Sequence, residues 1–201
     1  MTDERIFLFD LDSTITRKEI LPTIAEKLGR GEEMRKLTED TMNGGLPFKQ
    51  SFLRRVDMLK DIPVSEVSQE ISNISLNDKI VEFIKKYHER CYVVTGNLDI
   101  WINPLMAKMN IFDHTYCSHA VEKDNIFQYV SLVVDKKSVI DQIVQPFVAI
   151  GDGNNDAEMI DAAEVGIGYG GVRSIAPSVL ECASHAFYYE NKLVEFLERL
   201  V

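Results

Sequence analysis

The sequence predicts an α/β protein: a parallel sheet with helices on both faces and a block of helices inserted after the first strand. Three observations predict it. Three short, unbroken apolar runs each stop at a small or acidic residue, helical patterns separate them, and one long stretch near the start holds helical patterns but no strand. The 201 residues, 45% hydrophobic and 27% charged, suffice for one compact unit or for a core domain with a modest insertion.

The first run, Ile6-Phe7-Leu8-Phe9, ends at Asp10; the second, Cys91-Tyr92-Val93-Val94, ends at Thr95-Gly96. The third, Phe147-Val148-Ala149-Ile150, ends at Gly151-Asp152. Apolar runs without alternation suit strands buried on both faces of a parallel sheet. Such sheets bind ligands at the carboxyl ends of their strands. The polar groups that end the three runs are therefore expected to meet in one crevice. Asn77 or Asp78 is placed to cap a helix through Ile80, Val81, Phe83, Ile84 and Tyr87, and another helix is expected from Leu98 onward. Residues 137–144 read as a further helix, stopped by Pro146. Asn191 is placed to cap the last one, with Leu193, Val194, Leu197 and Leu200 on its apolar side. This alternation predicts a Rossmann-like, doubly wound parallel sheet.

Residues 16–75 break the alternation. Helical patterns occupy 19–28, 32–42, 47–59 and 63–71, and Pro47 and Pro63 sit where a first-turn proline is tolerated. The expected division is a catalytic core of residues 1–15 and 76–201 with a small α-helical cap of residues 16–75 over the end of the first strand.

Charge narrows the partners. With 22 basic against 32 acidic residues the net charge is -10, a field that repels nucleic acid and anionic membranes, so neither is expected as a partner. A local cation can still hold one small phosphate. Cys91, Cys117 and Cys182 are far apart and odd in number, so neither a disulfide framework nor a zinc site is expected. Buried free thiols and a charged start that is neither signal peptide nor membrane anchor predict a cytoplasmic location.

The chemistry concentrates where the runs end. Asp10 and Asp12 lie two residues apart beyond a buried strand, and like charges held close raise each other's pKa unless a cation intervenes. Gly151-Asp152-Gly153-Asn154-Asn155-Asp156 adds two more acids. Its first half imitates a calcium loop, but Ala157 and Ala163 stand where that loop needs glycine and glutamate. Carboxylates from two strand ends describe a hard-cation site, and magnesium suits it best. Thr95-Gly96-Asn97 ahead of a helix is a ready anion cradle, and Lys136 or Lys137 could supply the cation that a phosphate needs there.

In order, Asp-x-Asp-Ser-Thr, Thr-Gly, Lys and Gly-Asp-Gly-x-Asn-Asp resemble the motifs of the haloacid dehalogenase superfamily of phosphohydrolases, and they run from Asp10 to Asp156. The helical block after the first motif is similar to that family's small cap. The resemblance implies that Asp10 is the nucleophile and Asp12 the general acid and base. It implies Mg2+ held by Asp10, Asp152 and the Asp12 carbonyl, with Asp156 orienting Lys136 or metal-bound water. Thr95, Gly96, Lys136 and Asn155 would hold the phosphoryl oxygens. Lys136 is preferred to Lys137 because Val139-Ile140 fits the family's helix at that offset.

Within the superfamily the chain looks most like the phosphoserine phosphatases, through Asp-Ser-Thr, Glu19, and the stretch from Met42 to Phe48 leading to Arg55. Glu19, Met42, Phe48 and Arg55 are thus expected at the substrate. On a helix from Pro47, Phe48, Phe52, Arg55 and Leu59 share one stripe while Arg54 points elsewhere. Arg55 could grip a carboxylate or merely snorkel at the stripe's edge. One departure is Asn97, where that pattern has a second glycine; asparagine tolerates left-handed backbone, so the turn can survive. Residues 112–134 also depart from the pattern. Two other readings remain open: the same chemistry on a different small phosphorylated metabolite or phosphate acceptor, and a phospho-accepting signalling domain.

Overall fold

The computed structural model describes residues 4–42 and 47–201. Its strands are β1 (Ile6–Phe9), β2 (Cys91–Leu98), β3 (Thr115–Lys123), β4 (Ile126–Leu132), β5 (Phe147–Gly151), β6 (Val165–Tyr169) and β7 (His185–Phe187). They form one sheet in the order β4-β3-β2-β1-β5-β6-β7, parallel throughout except that β4 runs against β3. The three apolar runs are its three central strands. Phe9 lies opposite Val93 on one side and Ile150 on the other. The chain fills the sheet on one side of β1 and then on the other, and a crevice opens at such a switch point.

Each face of the sheet is covered. Phe7 and Phe9 pack into one layer with α5 (Asp78–Lys86), α6 (Asp99–Lys108) and α10 (Glu190–Leu197). Leu8 points the other way, into a layer with α7 (Lys136–Ile140), α8 (Ala157–Asp161) and α9 (Pro177–Cys182). All three side chains are fully buried, and each such burial contributes about 1.5–3 kcal/mol. The alternation of faces is that of any strand; only cover on both sides makes the run continuously apolar. Among the described residues, no helix is long and apolar enough to cross a membrane.

Four helices lie between β1 and β2: α1 (Ile20–Lys27), α2 (Gly31–Met42), α3 (Phe48–Asp57) and α4 (Val64–Ser72). Their apolar stripes, including Ile24, Met34, Phe52, Val56 and Val67, join the same hydrophobic cluster as Phe7 and Phe9.

Several local expectations give way to longer-range contacts. The helix expected over 137–144 is α7, which starts at Lys136 because the Asp135 carboxylate accepts from the Ser138 N–H at 3.3 Å, and it ends at Ile140. Asn191 does not cap the last helix, which begins at Glu190. Neither Asn77 nor Asp78 caps α5 through its side chain. Glu190 Oε1 reaches across to accept from the Lys79 and Ile80 N–H groups at 2.6 and 3.3 Å, while Asn77 Nδ2 donates to the Thr14 carbonyl at 2.8 Å.

Residues 112–134 turn out to hold a β-hairpin. Asp124 and Asn125 form its two-residue turn, with φ of 52° and 65°, the left-handed pair that matches strand twist. The tip then leaves the sheet and caps α4. Val64 N–H donates to the Asn125 carbonyl at 2.8 Å, and Ser65 N–H donates to Asn125 Oδ1 at 2.9 Å.

Candidate active site

The ends of β1, β2 and β5 open into a cavity of about 400 Å³, bounded on one side by Asp10, Asp12 and Asn97 and on the other by Phe48, Phe52 and Arg55 of α3. Asp10 extends the parallel ladder by one residue, its N–H donating to the Ile150 carbonyl at 2.9 Å. That bond sets its carboxylate at the level of the strand ends, where it is 5% exposed.

Lys136 ties the floor together. Its Nζ donates to Asp10 Oδ1 at 2.5 Å and to Asp156 Oδ1 at 2.6 Å. Asp156 Oδ2 in turn accepts from the Asp152 and Gly153 N–H groups at 3.0 and 2.9 Å. A Cβ on Gly151 would lie 2.6 Å from the Asp156 carboxylate, so only glycine lets that side chain fold back under the loop. The neighbouring Lys137 is exposed and paired with Asp141.

Asp10, Asp152 and Asp156 each place a carboxylate oxygen within 4.8 Å of the others, and all three are buried. Burial, with Asp156 adding to it, pushes the Asp10 carboxyl up to about 7 despite Lys136. Burial likewise holds Asp152 well above the usual carboxylate range. Burial opposes the charge on Lys136, but Asp10 and Asp156 outweigh it and keep the ammonium protonated. Three buried carboxylates clustered at the strand ends suit a further hard cation, even with Lys136 and Arg173 bound to them, and the donor set is all oxygen, without the His or Cys that zinc prefers.

Asp12 occupies a different niche. Its Oδ1 accepts from the Ile20 N–H at 2.6 Å and its Oδ2 from Asn97 Nδ2 at 2.5 Å. Burial, with Glu19 adding, raises its carboxyl to about 6, close to neutrality, where a group can both give and take a proton. The turn after Asp12 brings Glu19 back to the cavity. Ser13 adopts a left-handed φ of 57°, held by its N–H to Thr16 Oγ1 at 3.1 Å, and its hydroxyl donates to Glu19 Oε1 at 3.2 Å.

The second strand end is where the phosphate cradle is expected. Thr95 is fully buried, and its Oγ1 accepts from both the N–H and the side-chain amide of Asn97 at 3.2 and 3.0 Å. Asn97 is extended in β2 and has no positive φ, so tolerance of left-handed backbone is not what the position asks for. A Cβ on Gly96 would meet the Phe48 ring at 2.4 Å: the inserted helices close directly onto this strand end.

Arg55 does not snorkel. It is 7% exposed, burial lowers its pKa, and it sits near Glu19 and Asp12, while Arg54 is exposed. Its Nε is buried with no hydrogen-bond partner among the described residues. Phe48 stacks on Phe52 at 5.9 Å beside it. Asn155 stands at the exposed rim. The Met42 side chain lies outside the described residues.

The family model of the haloacid dehalogenase-like hydrolases matches residues 7–161. The chain belongs to that family. It is 32% identical over 181 residues to a phosphoserine phosphatase of Methanocaldococcus jannaschii, covering 83% of this chain and 85% of that one. Two solved structures share its architecture over nearly their whole length. A substrate-bound phosphoserine phosphatase complex has a TM-score of 0.82 at 28% identity, covering 98% of both chains. A phospho-aspartyl intermediate analogue of phosphoserine phosphatase has 0.81 at 27%, covering 96% of this chain and 98% of the other. Membership in a family of hydrolases decides for an enzyme over a phospho-accepting signalling domain.

One residue of this haloacid dehalogenase-like hydrolase escaped sequence reasoning. Arg173, on the loop after β6, makes a charge-assisted bond from Nε to Asp152 Oδ2 and a salt bridge from Nη1 to Glu19 at 3.1 Å. A signal existed: Val165-Gly-Ile-Gly-Tyr169 followed by Gly170-Gly171 repeats the pattern of an apolar run stopped by small residues.

Proposed function

We propose that this hydrolase is a magnesium-dependent phosphomonoesterase whose substrate is O-phosphoserine, with residues 16–75 serving as the cap that recognises it. The observation that carries the substrate assignment is Arg55, a buried guanidinium whose Nε has no partner among the described residues, in the cavity that Asp10 also lines. A buried unpaired donor is costly, and a substrate carboxylate would satisfy it through a charge-assisted bond. The phosphoserine phosphatases similar to this chain support the same assignment.

The chain's own groups account for the steps. Lys136 holds Asp10 Oδ1 and leaves Oδ2 to attack phosphorus in line, forming the Asp10–phosphorus bond as the ester bond breaks. Asp12 gives its proton to the departing seryl oxygen. It then takes a proton from the water that cleaves the aspartyl phosphate, freeing Asp10 and inorganic phosphate. Thr95, Gly96, Asn155 and Lys136 hold the transferring oxygens, and Asp156 keeps Lys136 in place. The Asp10 and Asp152 carboxylates and the Asp12 carbonyl would hold magnesium, with Asp156 beside them. When bound, the metal supplies positive charge that neutralises the phosphoryl group against these acids. Glu19 would receive the substrate ammonium, and Phe48 would close over it. The free thiols Cys91, Cys117 and Cys182 support a reducing, cytoplasmic setting.

A second substrate has one observation in its favour. Glu19 is already bridged to Arg173, which favours an ester that carries a carboxylate but no ammonium. Phosphate release from purified protein with magnesium separates the two. Phosphoserine should turn over many times per enzyme, phosphoethanolamine should be poor, and chelator should stop the reaction. Preference for a phosphorylated hydroxy acid would move the assignment to the second substrate. Activity that survives excess chelator would remove the metal.

A further inference from the structure

Asn97 is 3% exposed and stands at the end of β2 facing the cavity. Its backbone is ordinary extended strand, so the side chain is not there to satisfy a turn. What it does is visible in its bonds. Nδ2 donates to Asp12 Oδ2 at 2.5 Å and to Thr95 Oγ1 at 3.0 Å, so the fully buried threonine fixes the amide and the amide fixes the carboxylate. The Ile20 N–H holds only the other oxygen, at 2.6 Å. A carboxylate pinned at one oxygen still swings about that bond, and Arg55 is among the charges it feels.

We propose that Asn97 is a positioning residue for proton transfer: it holds the Asp12 carboxylate toward the leaving oxygen. The inference rests on the reading of Asp12 as the acid–base group. Each carboxylate oxygen offers two lone-pair sites, so Oδ2 can accept from Asn97 and still carry the proton that goes to the ester oxygen. A glycine, which the phosphoserine phosphatase pattern has here, offers no such bond. This chain therefore organises its acid differently.

The leaving group supplies the test. A seryl oxygen must be protonated as its bond to phosphorus breaks, whereas 4-nitrophenolate departs unaided. In both cases kcat/KM reports only steps up to formation of the aspartyl phosphate. The full chain, with magnesium, is assayed as wild type, Asn97→Gly, Asn97→Ala, Asp12→Asn and the double variant Asp12→Asn/Asn97→Gly, after cooperative thermal unfolding has been checked for each. The readout is the ratio of kcat/KM for phosphoserine to that for 4-nitrophenyl phosphate. Both Asn97 variants should lower that ratio by roughly 10–100-fold, part of the 10²–10⁴ that acid–base catalysis contributes. Asp12→Asn should lower it further, and adding Asn97→Gly to Asp12→Asn should change it no more, because the two residues act as one unit. An unchanged ratio in the Asn97 variants alongside a collapsed ratio in Asp12→Asn would overturn the inference alone. An unchanged ratio in Asp12→Asn would overturn the reading of Asp12, and the inference with it.

Discussion

The two sides of the cavity are built on different principles. On the floor, at the strand ends, nearly every charged group has found a partner within the protein: Lys136 with Asp10 and Asp156, Asp156 with two backbone N–H groups, Asp12 with Ile20 and Asn97. On the wall contributed by α3, two stacked phenylalanines accompany an arginine whose buried Nε has none among the described residues. A floor organised before substrate arrives is what phosphoryl transfer requires, since charge must be met without rearrangement. A wall left incomplete is what selection requires, and in the proposed reading the missing partner is the substrate's own. Floor substitutions should therefore disable every substrate, and wall substitutions should discriminate among them.

The largest effect should come from Asp10. Asp10→Asn keeps the shape, loses the nucleophile, and should abolish turnover of all phosphomonoesters in a steady-state assay while the protein stays folded. Substantial activity in the folded variant would end the covalent mechanism. Asp12→Asn should slow phosphoserine turnover by roughly 10²–10⁴-fold, and rapid-quench kinetics should show both formation and breakdown of the intermediate slowed.

The wall gives the sharper contrast. Losing one partner of a buried charge-assisted bond commonly costs several kcal/mol. Arg55→Ala should thus cut kcat/KM for phosphoserine by roughly 10²-fold or more, at about 1.4 kcal/mol per factor of ten. It should do much less to an aryl phosphate without a carboxylate. Equal losses on both would erase the distinction between floor and wall.

The floor should also report itself through pH without any turnover. Asp10 titrates at about 7 in the folded protein against an ordinary 3.8. Between those values the native state holds a proton that the unfolded state has released, so metal-free stability falls as pH rises through this window. A bound divalent cation takes over the proton's role. The gain in Tm on adding magnesium should be small at pH 5 and grow toward pH 8, and a gain independent of pH would contradict the metal assignment. Smallest of all, Asn125→Ala removes the side-chain cap of α4 and should lower stability by about 0.5–2 kcal/mol in denaturant titration. No change there would mean that the Asn125 side chain does not hold the start of α4.

Residue type and order alone determined the centre of this molecule. β1, β2 and β5 were legible because burial on both faces makes a strand apolar throughout, and that signal needs no knowledge of neighbours. The places of Asp10, Thr95 and Asp152 were legible because a polar residue that stops such a strand must sit at the sheet's carboxyl end. The strands that were missed carry weaker signals: β6 is broken by Gly166 and Gly168, β7 has three residues, and β3 and β4 are mostly exposed. What only the tertiary structure decided was the partner of each polar group. Glu190 caps α5 across 110 residues, Asn125 caps α4 across 60, Arg173 bridges Glu19 to Asp152, and Asn97 turned from an awkward replacement for glycine into a hold on Asp12. Hydrophobic burial is written locally, in the spacing of apolar residues. A buried hydrogen bond takes whichever donor the fold brings within about 3 Å, and no local pattern records which one that will be.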